Sequence, residues 1–314
     1  MLGRSAWGLF WMSRYLERAE NTARLLDAGF RIALTRGDSV ASDEWRSVLI
    51  TLGQDEDYLE RHGDYSGVHV INWVLRGADN PGSVLWMIEN ARTNARMVRT
   101  ALTREVWEAT NESWMGLRAA LARPVRESGI GEVLDLIRRQ ATLVRGAMEG
   151  TMLRNDIFNF ARIGTHLERA DNTARILDVK YHVLLPNLAW VGSRLDNTQW
   201  EMVLRSVAGE RAFRWLNAGA IDPRGIAEFL ILDGRFPRSI AYCLSQVTNN
   251  MGFLARDYGA HMPSHALLNA ANARLAEISI ADIFEQGLHQ FITDFIATSR
   301  TIATAIAADY RFIE

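Results

Sequence analysis

The chain has 314 residues, of which 48% are hydrophobic and 23% are charged, and its formal net charge is −2. This length and hydrophobic content suffice for a large buried core and exclude an intrinsically disordered chain. Because the net charge is small, no bulk attraction to nucleic acid or to an anionic membrane is expected.

The N-terminal residues do not read as a secretory signal. Arg4 precedes an apolar run, but the run ends at Arg14, lacks a small-residue cleavage site and leads directly into a predicted helix. No uncharged stretch is long enough to span a bilayer. The single cysteine, Cys243, cannot form an internal disulfide and is expected in the core. We therefore expect a soluble, cytoplasmic protein.

One segment occurs twice, as LERAENTARLLD at Leu16–Asp27 and as LERADNTARILD at Leu167–Asp178. In both copies and their flanks, apolar residues recur at steps of three and four, which is typical of a helix with one buried side. We call these the first and second motif helices. The predicted buried residues are Leu9, Met12, Leu16, Ala19, Ala23, Leu26, Phe30 and Ala33 in the first and Phe160, Ile163, Leu167, Ala170, Ala174, Leu177, Tyr181 and Leu184 in the second.

Polar residues occupy another face of each motif helix. Glu17, Asn21 and Arg24 follow one another at steps of four and three. Most surface substitutions change stability by less than about 0.5 kcal/mol, so a solvated face has no reason to stay identical in two copies. The identity indicates a constraint. The candidate ligand-binding residues are Arg14, Glu17, Arg18, Asn21 and Arg24, with Glu168, Arg169, Asn172 and Arg175 in the second copy.

Two constraints fit this polar face. In the first, the Glu and Arg side chains bond to neighbouring helices and fix their register. In the second, the faces converge on a polar cavity in which Arg binds the carboxylate or phosphate of an anionic ligand or peptide. Both can apply together, because an Arg held by a Glu is also preorganised for binding.

The duplication continues more faintly after each motif helix. A helix start containing Trp45 is echoed by one containing Trp200. Asn80-Pro81-Gly82-Ser83 is echoed by Phe236-Pro237-Arg238-Ser239, and Pro followed by Ser predicts the start of a long helix. Residues inserted in the second half are expected near Pro186. The long helices are predicted at residues 81–107 and 237–258, and closing helices at about 131–149 and 283–310.

No segment shows the sustained alternation or the Asn-Gly turns that mark β-strands. We therefore predict an all-α fold. It is a helical bundle built from two duplicated halves, residues 1–150 and 151–314, packed as one body with pseudo-twofold symmetry.

Familiar catalytic and cofactor motifs are absent from the sequence, including the P-loop, C-x-x-C and G-x-S-x-G, and no cofactor is expected. His261 and His265 have the spacing of helical metal ligands, but Pro263 separates them and no metal site is assigned. An enzyme is still conceivable if Glu17 or Glu168 acts as acid or base in a pocket between the halves. Structural ion pairs to Arg are the favoured interpretation of these two carboxylates.

A further basic cluster follows Pro81. In the second half, Thr248 and Gly252 replace two of its arginines, so a single site per chain would lie in the first half. The alternative is a solvated Arg-rich surface. Trp107 and Trp114, at the end of this region, are expected in the core or an interface. The cluster comprises Asn90, Arg92, Asn94, Arg96 and Arg99, of which Arg92, Asn94 and Arg96 are candidate ligand-binding residues.

The motif RYLERAENTARLL at residues 14–26, with its second copy GTHLERADNTAR at residues 164–175, resembles the bacterial alpha-E family, an all-helical domain named for a Glu-Arg motif. The resemblance covers essentially the whole chain, including the Asn80-Pro81-x-Ser83 helix start and the terminal Gly287-Leu288-His289 helix. The expected pattern Ala-Arg-Glu-Asn-Ala-Arg appears as ARTNAR at residues 91–96. The missing carboxylate there weakens a catalytic role for that helix.

The resemblance implies that the protein acts together with a partner enzyme. The resemblance implies that members are encoded beside, or fused to, ATP-grasp-like proteins and transglutaminase-like cysteine peptidases, and hence a role in peptide ligation or processing. The preferred hypothesis is an accessory, non-catalytic protein that acts with an ATP-grasp-type amide ligase or transglutaminase-like protein. It would hold a peptide or amino-acid carboxylate with Arg18, Arg24, Arg169 and Arg175. The alternatives are the Glu17 or Glu168 enzyme and a purely architectural scaffold.

Overall fold

The computed structural model describes residues 1–36, 38–182, 194–217 and 222–312. Within these ranges the chain is helical and contains no strand, so the all-α prediction is confirmed. None of the helices in these ranges is both long and apolar enough to cross a membrane. The expectations for Leu184, for the side chain of Tyr181 and for the insertion near Pro186 lie outside the described residues.

The chain divides into two compact units. The first unit consists of residues 11–154, and the second unit combines residues 1–10 with residues 155–314. The first helix, α1 (Gly3–Arg36), contributes its opening turns to the second unit and the rest of its length to the first.

In the first unit, α6 packs against both α5 and α7. The helices that follow α1 in this unit are α2 (Asp38–Leu52), α3 (Asp55–His62), α4 (Gly67–Arg76), α5 (Val84–Met97), α6 (Arg104–Ala120) and α7 (Ile130–Thr151). In the second unit, α8 is central and packs against α12 and α15. Its helices are α8 (Asp156–His182), α9 (Arg194–Ser206), α10 (Glu210–Leu216), α11 (Pro223–Ile231), α12 (Ile240–Tyr258), α13 (Pro263–Glu277), α14 (Ile280–Gln286) and α15 (Leu288–Asp309).

The two motif helices are α1 and α8, and their predicted apolar stripes are buried. Leu9, Met12 and Leu26 are fully enclosed in α1, whereas Phe30 and Ala33 near its end are half-buried. On α8 the stripe is buried from Phe160 to Leu177. The period of three and four thus locates the hydrophobic core correctly.

A glycine on α8 allows a close approach within the second unit. A Cβ atom at Gly164 would lie 2.3 Å from the carbonyl oxygen of Phe10, which belongs to the opening turns of α1. Real Cβ atoms do not approach an oxygen this closely, so the packing of α8 on these turns requires glycine at this position.

The two serines predicted to start long helices do cap them. Ser83 Oγ accepts from the backbone N–H of Trp86 and donates to the carbonyl of Gly77 at 3.0 Å. Ser239 Oγ accepts from the N–H of Tyr242 and donates to the carbonyl of Asp233. Each hydroxyl thereby satisfies one free backbone donor of its helix and ties the helix to the preceding turn.

Two predicted helices are each divided in the structure. The helix predicted at residues 81–107 ends at Met97, and α6 starts afresh at Arg104 because Thr103 caps it by accepting from the N–H of Val106. The closing helix predicted at residues 283–310 is split by Gly287, whose φ of +99° is incompatible with a helix. Trp107 consequently lies on a helix that packs beside α5 rather than continuing it.

Candidate functional site

The polar face of α1 forms a cluster of carboxylates and guanidinium groups, which we call the carboxylate–arginine cluster (Glu17, Glu20, Arg24 and Arg145). Arg145, on α7, donates from Nη1 to Glu20 Oε2 at 2.7 Å and lies 3.4 Å from Glu17 Oε2. Arg24, one turn after Glu20, donates from Nε and Nη2 to Glu20 Oε1 at 3.1 and 2.7 Å. The two oxygens of Glu20 are therefore bound by guanidinium groups from two helices.

Both carboxylates of this cluster are enclosed. The side chains of Glu17 and Glu20 are 1% and 0% exposed, whereas that of Arg145 is 30% exposed. A carboxylate removed from water remains charged only where cations and hydrogen-bond donors replace the lost solvation. The arginines supply these groups here, and the cluster fixes α7 against α1.

A second charged contact joins the same two helices. Arg138 on α7 donates to Asp27 Oδ2 on α1 at 3.1 Å and also bonds to Asp135 on its own helix. Partial burial lowers the pKa of the Arg138 guanidinium, but the bonds to Asp135 and Asp27 outweigh this and raise it. Arg138 and Arg145 lie two turns apart on α7, so they hold one register between α7 and α1.

The polar residues of α8 bond to the turn before α12. Arg169 Nη1 donates to the carbonyl of Pro237 at 3.2 Å, and Thr173 Oγ1 donates to the carbonyl of Arg238 at 2.7 Å. Arg175 donates to Asp171 on its own helix at 2.7 Å. Glu168 is buried. The second motif helix thus uses its polar face to anchor a helix start.

The remaining predicted residues of the motif helices differ in their surroundings. Asn21 is buried, and Arg14 is half-buried with its guanidinium 4.9 Å from the centre of the Trp11 ring. Arg18 and Asn172 are half-buried. The carboxylate–arginine cluster itself joins Glu17 to Arg24 through Arg145 and Glu20.

Sequence reasoning missed Glu20 and Arg145. Glu20 is one of the two motif positions that differ between the copies. Both copies nevertheless have an acid there, and this shared negative charge indicates a constrained position. Arg145 lies 125 residues from Glu20, and no local pattern pairs residues so far apart.

A different set of arginines lies between α5 and α6. We call it the basic–aromatic face, and it comprises Arg92, Arg96, Arg99, Trp107, Trp114 and Arg118. The Arg92 and Arg118 guanidinium carbons lie 4.1 and 5.1 Å from the centre of the Trp114 ring, and that of Arg99 lies 5.3 Å from the centre of Trp107. Such distances are those of cation–π contacts.

The arginines of this face are not neutralised within the described part of the chain. Arg92 Nε donates to Asn111 Oδ1 at 2.7 Å, but neither Arg92 nor Arg96, Arg99 or Arg118 pairs there with a carboxylate. Asn94, predicted to belong to this cluster, is buried on the other side of α5. The face therefore presents positive charge supported by two half-buried indoles.

The paired histidines do not form a metal site. The ring of His265 accepts the Met262 N–H at Nδ1 and lies 3.0 Å from the Met251 carbonyl at Nε2, so both nitrogens have backbone partners. Among the described residues, no group of three or more His, Cys, Asp or Glu side chains could hold a metal ion. Cys243 is buried, as expected.

The comparison with known families decides the assignment. A family model for Alpha-E, described as a predicted alpha-helical domain with a conserved ER motif, matches residues 1–310. The chain belongs to the Alpha-E family. The Glu17-Arg18 and Glu168-Arg169 pairs, on which the resemblance was based, lie on the two motif helices of this Alpha-E protein.

The Alpha-E chain is also similar to part of longer proteins. Uncharacterized proteins of Mycobacterium bovis and Mycobacterium tuberculosis are 23% identical to it over 325 residues, a region that covers 96% of this chain and 36% of each relative. The chain thus spans about a third of the length of the curated relatives it matches. No solved structure gives a significant match to it.

Proposed function

We propose that this Alpha-E protein is an accessory binding protein of the cytoplasm, without a catalytic centre of its own. It acts with an ATP-grasp-type amide ligase or a transglutaminase-like protein in peptide ligation or processing, and it is built from two duplicated halves with pseudo-twofold symmetry. The observation that carries the proposal is the enclosure of Glu17 and Glu20 by Arg24 and Arg145.

The enclosure argues against acid–base catalysis by the motif. A general base has to reach the proton that it abstracts, directly or through one water. Glu17 is 1% exposed and lies against Arg145, and Glu168 is also buried. These carboxylates are better suited to holding helices together, which is the role of the architectural alternative.

The same contacts divide the arginines into two groups. Arg24 and Arg175 bond to acids on their own helices, and Arg169 donates to a backbone carbonyl. These three are committed to the fold. Arg92 and Arg96 have no such acidic partner in the described chain, so they are the better candidates for holding a ligand's carboxylate.

The length of the relatives supports a partner. In the mycobacterial proteins, the region similar to this chain is covalently joined to other segments that make up most of the molecule. A module that works beside other segments in one chain can work beside a separate protein in another. The family resemblance implies that the separate partner is an ATP-grasp-type ligase or a transglutaminase-like protein.

Matched charged contacts support the duplicated halves. Asp27 pairs with Arg138 in the first unit, and Asp178 pairs with His289 in the second. The partners are 111 residues apart in both cases. Each pair links a motif helix to the closing helix of its unit.

Similar aromatic contacts in the two units also support the duplication. Tyr58 and Trp73 make an edge-to-face contact at 6.1 Å and 70°, and Phe213 and Phe229 make one at 5.6 Å and 69°. In both units the first ring comes from the short helix after the one that carries Trp45 or Trp200, namely α3 or α10. The second ring comes from α4 or α11, the helix before α5 or α12. Equal packing at equivalent places is what a duplication leaves.

Affinity capture of the tagged full chain from its native host, with cross-linking, tests the proposal. We expect an ATP-grasp-type or transglutaminase-like protein to be enriched over a tag-only control. Enrichment of neither class would overturn the proposal, as would amide ligation or hydrolysis catalysed by the purified chain alone and abolished by Glu17→Gln. Activity that survives Glu17→Gln and Glu168→Gln and stays with the chain through further purification would overturn it as well, because the proposal gives the chain no catalytic centre.

A further inference from the structure

We infer that the basic–aromatic face binds an acidic segment of a partner polypeptide, with its arginines contacting successive Asp or Glu side chains. This inference rests on the proposed function, because it specifies how the accessory protein recognises its partner. The occupant is an extended run of carboxylates rather than a single small anion.

The spacing of the arginines favours an extended chain. Arg92, Arg96 and Arg99 follow one another at steps of four and three along one side of α5 and the turn after it. At a helical rise of 1.5 Å per residue, they span roughly 10 Å. Alternate side chains of an extended peptide are roughly 6.5 Å apart, so one acidic segment can reach two or more of these arginines.

The indole of Trp114 preorganises two of the guanidinium groups. Arg92 and Arg118 both lie over this ring, and Arg92 is further held through Nε by Asn111. The Nη hydrogens of Arg92 keep no acceptor among the described residues. Because these long side chains are already positioned, less conformational entropy is lost when a carboxylate binds.

The acidic neighbours of the face do not pair with its arginines within the described chain. Glu89 and Glu112 are exposed on α5 and α6, yet neither forms an ion pair within the described chain. Arg104 on α6 shows the contrast, since it pairs with Glu108 at 2.7 Å. An incoming carboxylate would therefore not have to displace an existing partner from Arg92 or Arg96.

An acidic polypeptide fits this face better than a nucleic acid does. Single-stranded nucleic acids bind by stacking bases on free aromatic faces. Two guanidinium groups already lie over Trp114, and the chain carries a net charge of −2. The aromatic rings here support cations instead of receiving bases.

The corresponding surface of the second unit lacks two arginines of this face and keeps one arginine–ring contact on α12, in which Arg256 lies 4.6 Å from the centre of the Phe253 ring. Thr248 and Gly252 occupy the places of Arg92 and Arg96 on α12, and the Thr248 hydroxyl accepts from Asn272 of α13 at 2.7 Å. The Thr248 side chain is thus already hydrogen-bonded within its own unit. The inference accordingly predicts one acidic segment per chain, bound by the first unit.

Fluorescence anisotropy of a labelled hexaglutamate peptide with the full chain tests the inference. We expect salt-sensitive binding, which Arg92→Gln combined with Arg118→Gln weakens about tenfold or more because two charge-assisted contacts are lost. Trp114→Leu should weaken it about fivefold while leaving the charge intact. Arg104→Gln, on the same helix but already paired with Glu108, is the matched control and should bind as wild type does.

Arg96→Gln provides a second test of hexaglutamate binding in case the Arg92, Arg118 or Trp114 variants fail to fold. Arg96 is exposed and its side chain forms no ion pair or hydrogen bond within the described residues, so its loss should weaken binding about threefold or more without lowering the melting temperature. Absence of hexaglutamate binding, or binding unchanged by the Arg92 and Arg118 variants, would overturn the inference. So would tighter binding of oligothymidylate, or full competition by an equal concentration of acetate or phosphate.

The two proposals fail in distinguishable ways. If wild type and the Arg92→Gln, Arg118→Gln variant capture the ligase-type partner equally, the inference is wrong and the proposed function survives. If hexaglutamate binds as expected but wild type captures no such partner from the host, the face survives and the proposed function is wrong.

Discussion

The α5–α6 pair and the α12–α13 pair begin alike and differ in what they present. In both units a serine caps the long helix, at Ser83 or Ser239. The first pair then carries three arginines against two indoles, whereas the second has Thr248 and Gly252 at the sequence positions that match Arg92 and Arg96. The same capping interaction therefore starts two helices whose exposed side chains differ in charge, so the helix start does not determine the surface that the helix presents.

The motif helices show a related difference. Asp27 meets Arg138 in the first unit, and Asp178 meets His289 in the second. In the register that these pairs define, Ile296 is the counterpart of Arg145. The cation that binds Glu17 and Glu20 from the closing helix is therefore present in the first unit and replaced by a hydrocarbon in the second.

The largest effect is expected from removing that cation. Arg145→Ala leaves Glu17 and Glu20 buried with less compensation, and should lower the free energy of unfolding by about 2–4 kcal/mol. The loss is smaller than for a wholly buried pair because Arg24 still binds Glu20. Urea unfolding monitored by circular dichroism measures it.

Arg139→Ala is the control for this prediction. Arg139 is exposed on the same helix and forms no ion pair within the described residues, so its loss should change stability by less than about 0.5 kcal/mol. If the Arg145 and Arg139 variants unfold at the same urea concentration, the cluster does not stabilise the contact between α1 and α7.

A smaller effect, dependent on pH, is expected at Asp233 in the turn before α12. Hydrogen bonds from the Arg235 side chain, and from the backbone N–H groups of Arg235 and Phe236, outweigh desolvation and hold the pKa of Asp233 below its usual range. Its charged form therefore stabilises the fold above the unfolded pKa of about 4, and this contribution is lost as the pH falls through the lower folded pKa.

Asp233→Asn tests this contribution. The variant should be about 1 kcal/mol less stable than wild type at pH 7, and the difference should shrink as the pH falls below about 4. The turn before α5 supplies the contrast, since it is held by the neutral amides of Asn80 and Gln54. A deficit in Asn80→Ala that varies with pH as much as that of Asp233→Asn would contradict the assignment of the pH effect to the Asp233 carboxylate.

An effect of similar size, but of opposite sign, is expected at Tyr58. The hydroxyl of Tyr58 is buried and has no hydrogen-bond partner among the described residues, and burial raises its pKa so that it stays protonated. The second unit has Phe213 in the equivalent ring contact. Tyr58→Phe should therefore raise the free energy of unfolding by about 1 kcal/mol.

Tyr65→Phe should have the opposite sign. The Tyr65 hydroxyl donates to Asp55 at 2.8 Å, so removing it should cost about 0.5–1 kcal/mol. Thermal melts of the two variants beside wild type compare them directly. A loss of stability in Tyr58→Phe would mean that its hydroxyl is solvated in the native protein.

Local patterns account for what could be predicted. The stripe from Leu9 to Leu26 and the caps at Ser83 and Ser239 follow from helical period and backbone hydrogen bonding, which involve residues a few positions apart. The division at Gly287 had a local signal, because glycine commonly ends helices, but the apolar run around it concealed the break.

What could not be predicted depends on distant residues. The motif shows that Glu17 and Arg24 lie on one face, yet the residue that encloses the cluster, Arg145, comes from another helix. Arg92, Arg118 and the Trp114 ring likewise meet only because the chain turns back at Thr103. Charge and spacing identified the arginines, and tertiary contacts determined which of them were already in use.

The sharing of α1 between the two units has a consequence for folding during synthesis. Residues 11–154 can complete their own unit as soon as they leave the ribosome, because all of its segments are adjacent in the chain. Residues 1–10 emerge before the first unit but pack with residues 155–314, so they must wait until the whole first unit has been made. The opening turns of α1 are thus made well before the segment that buries them.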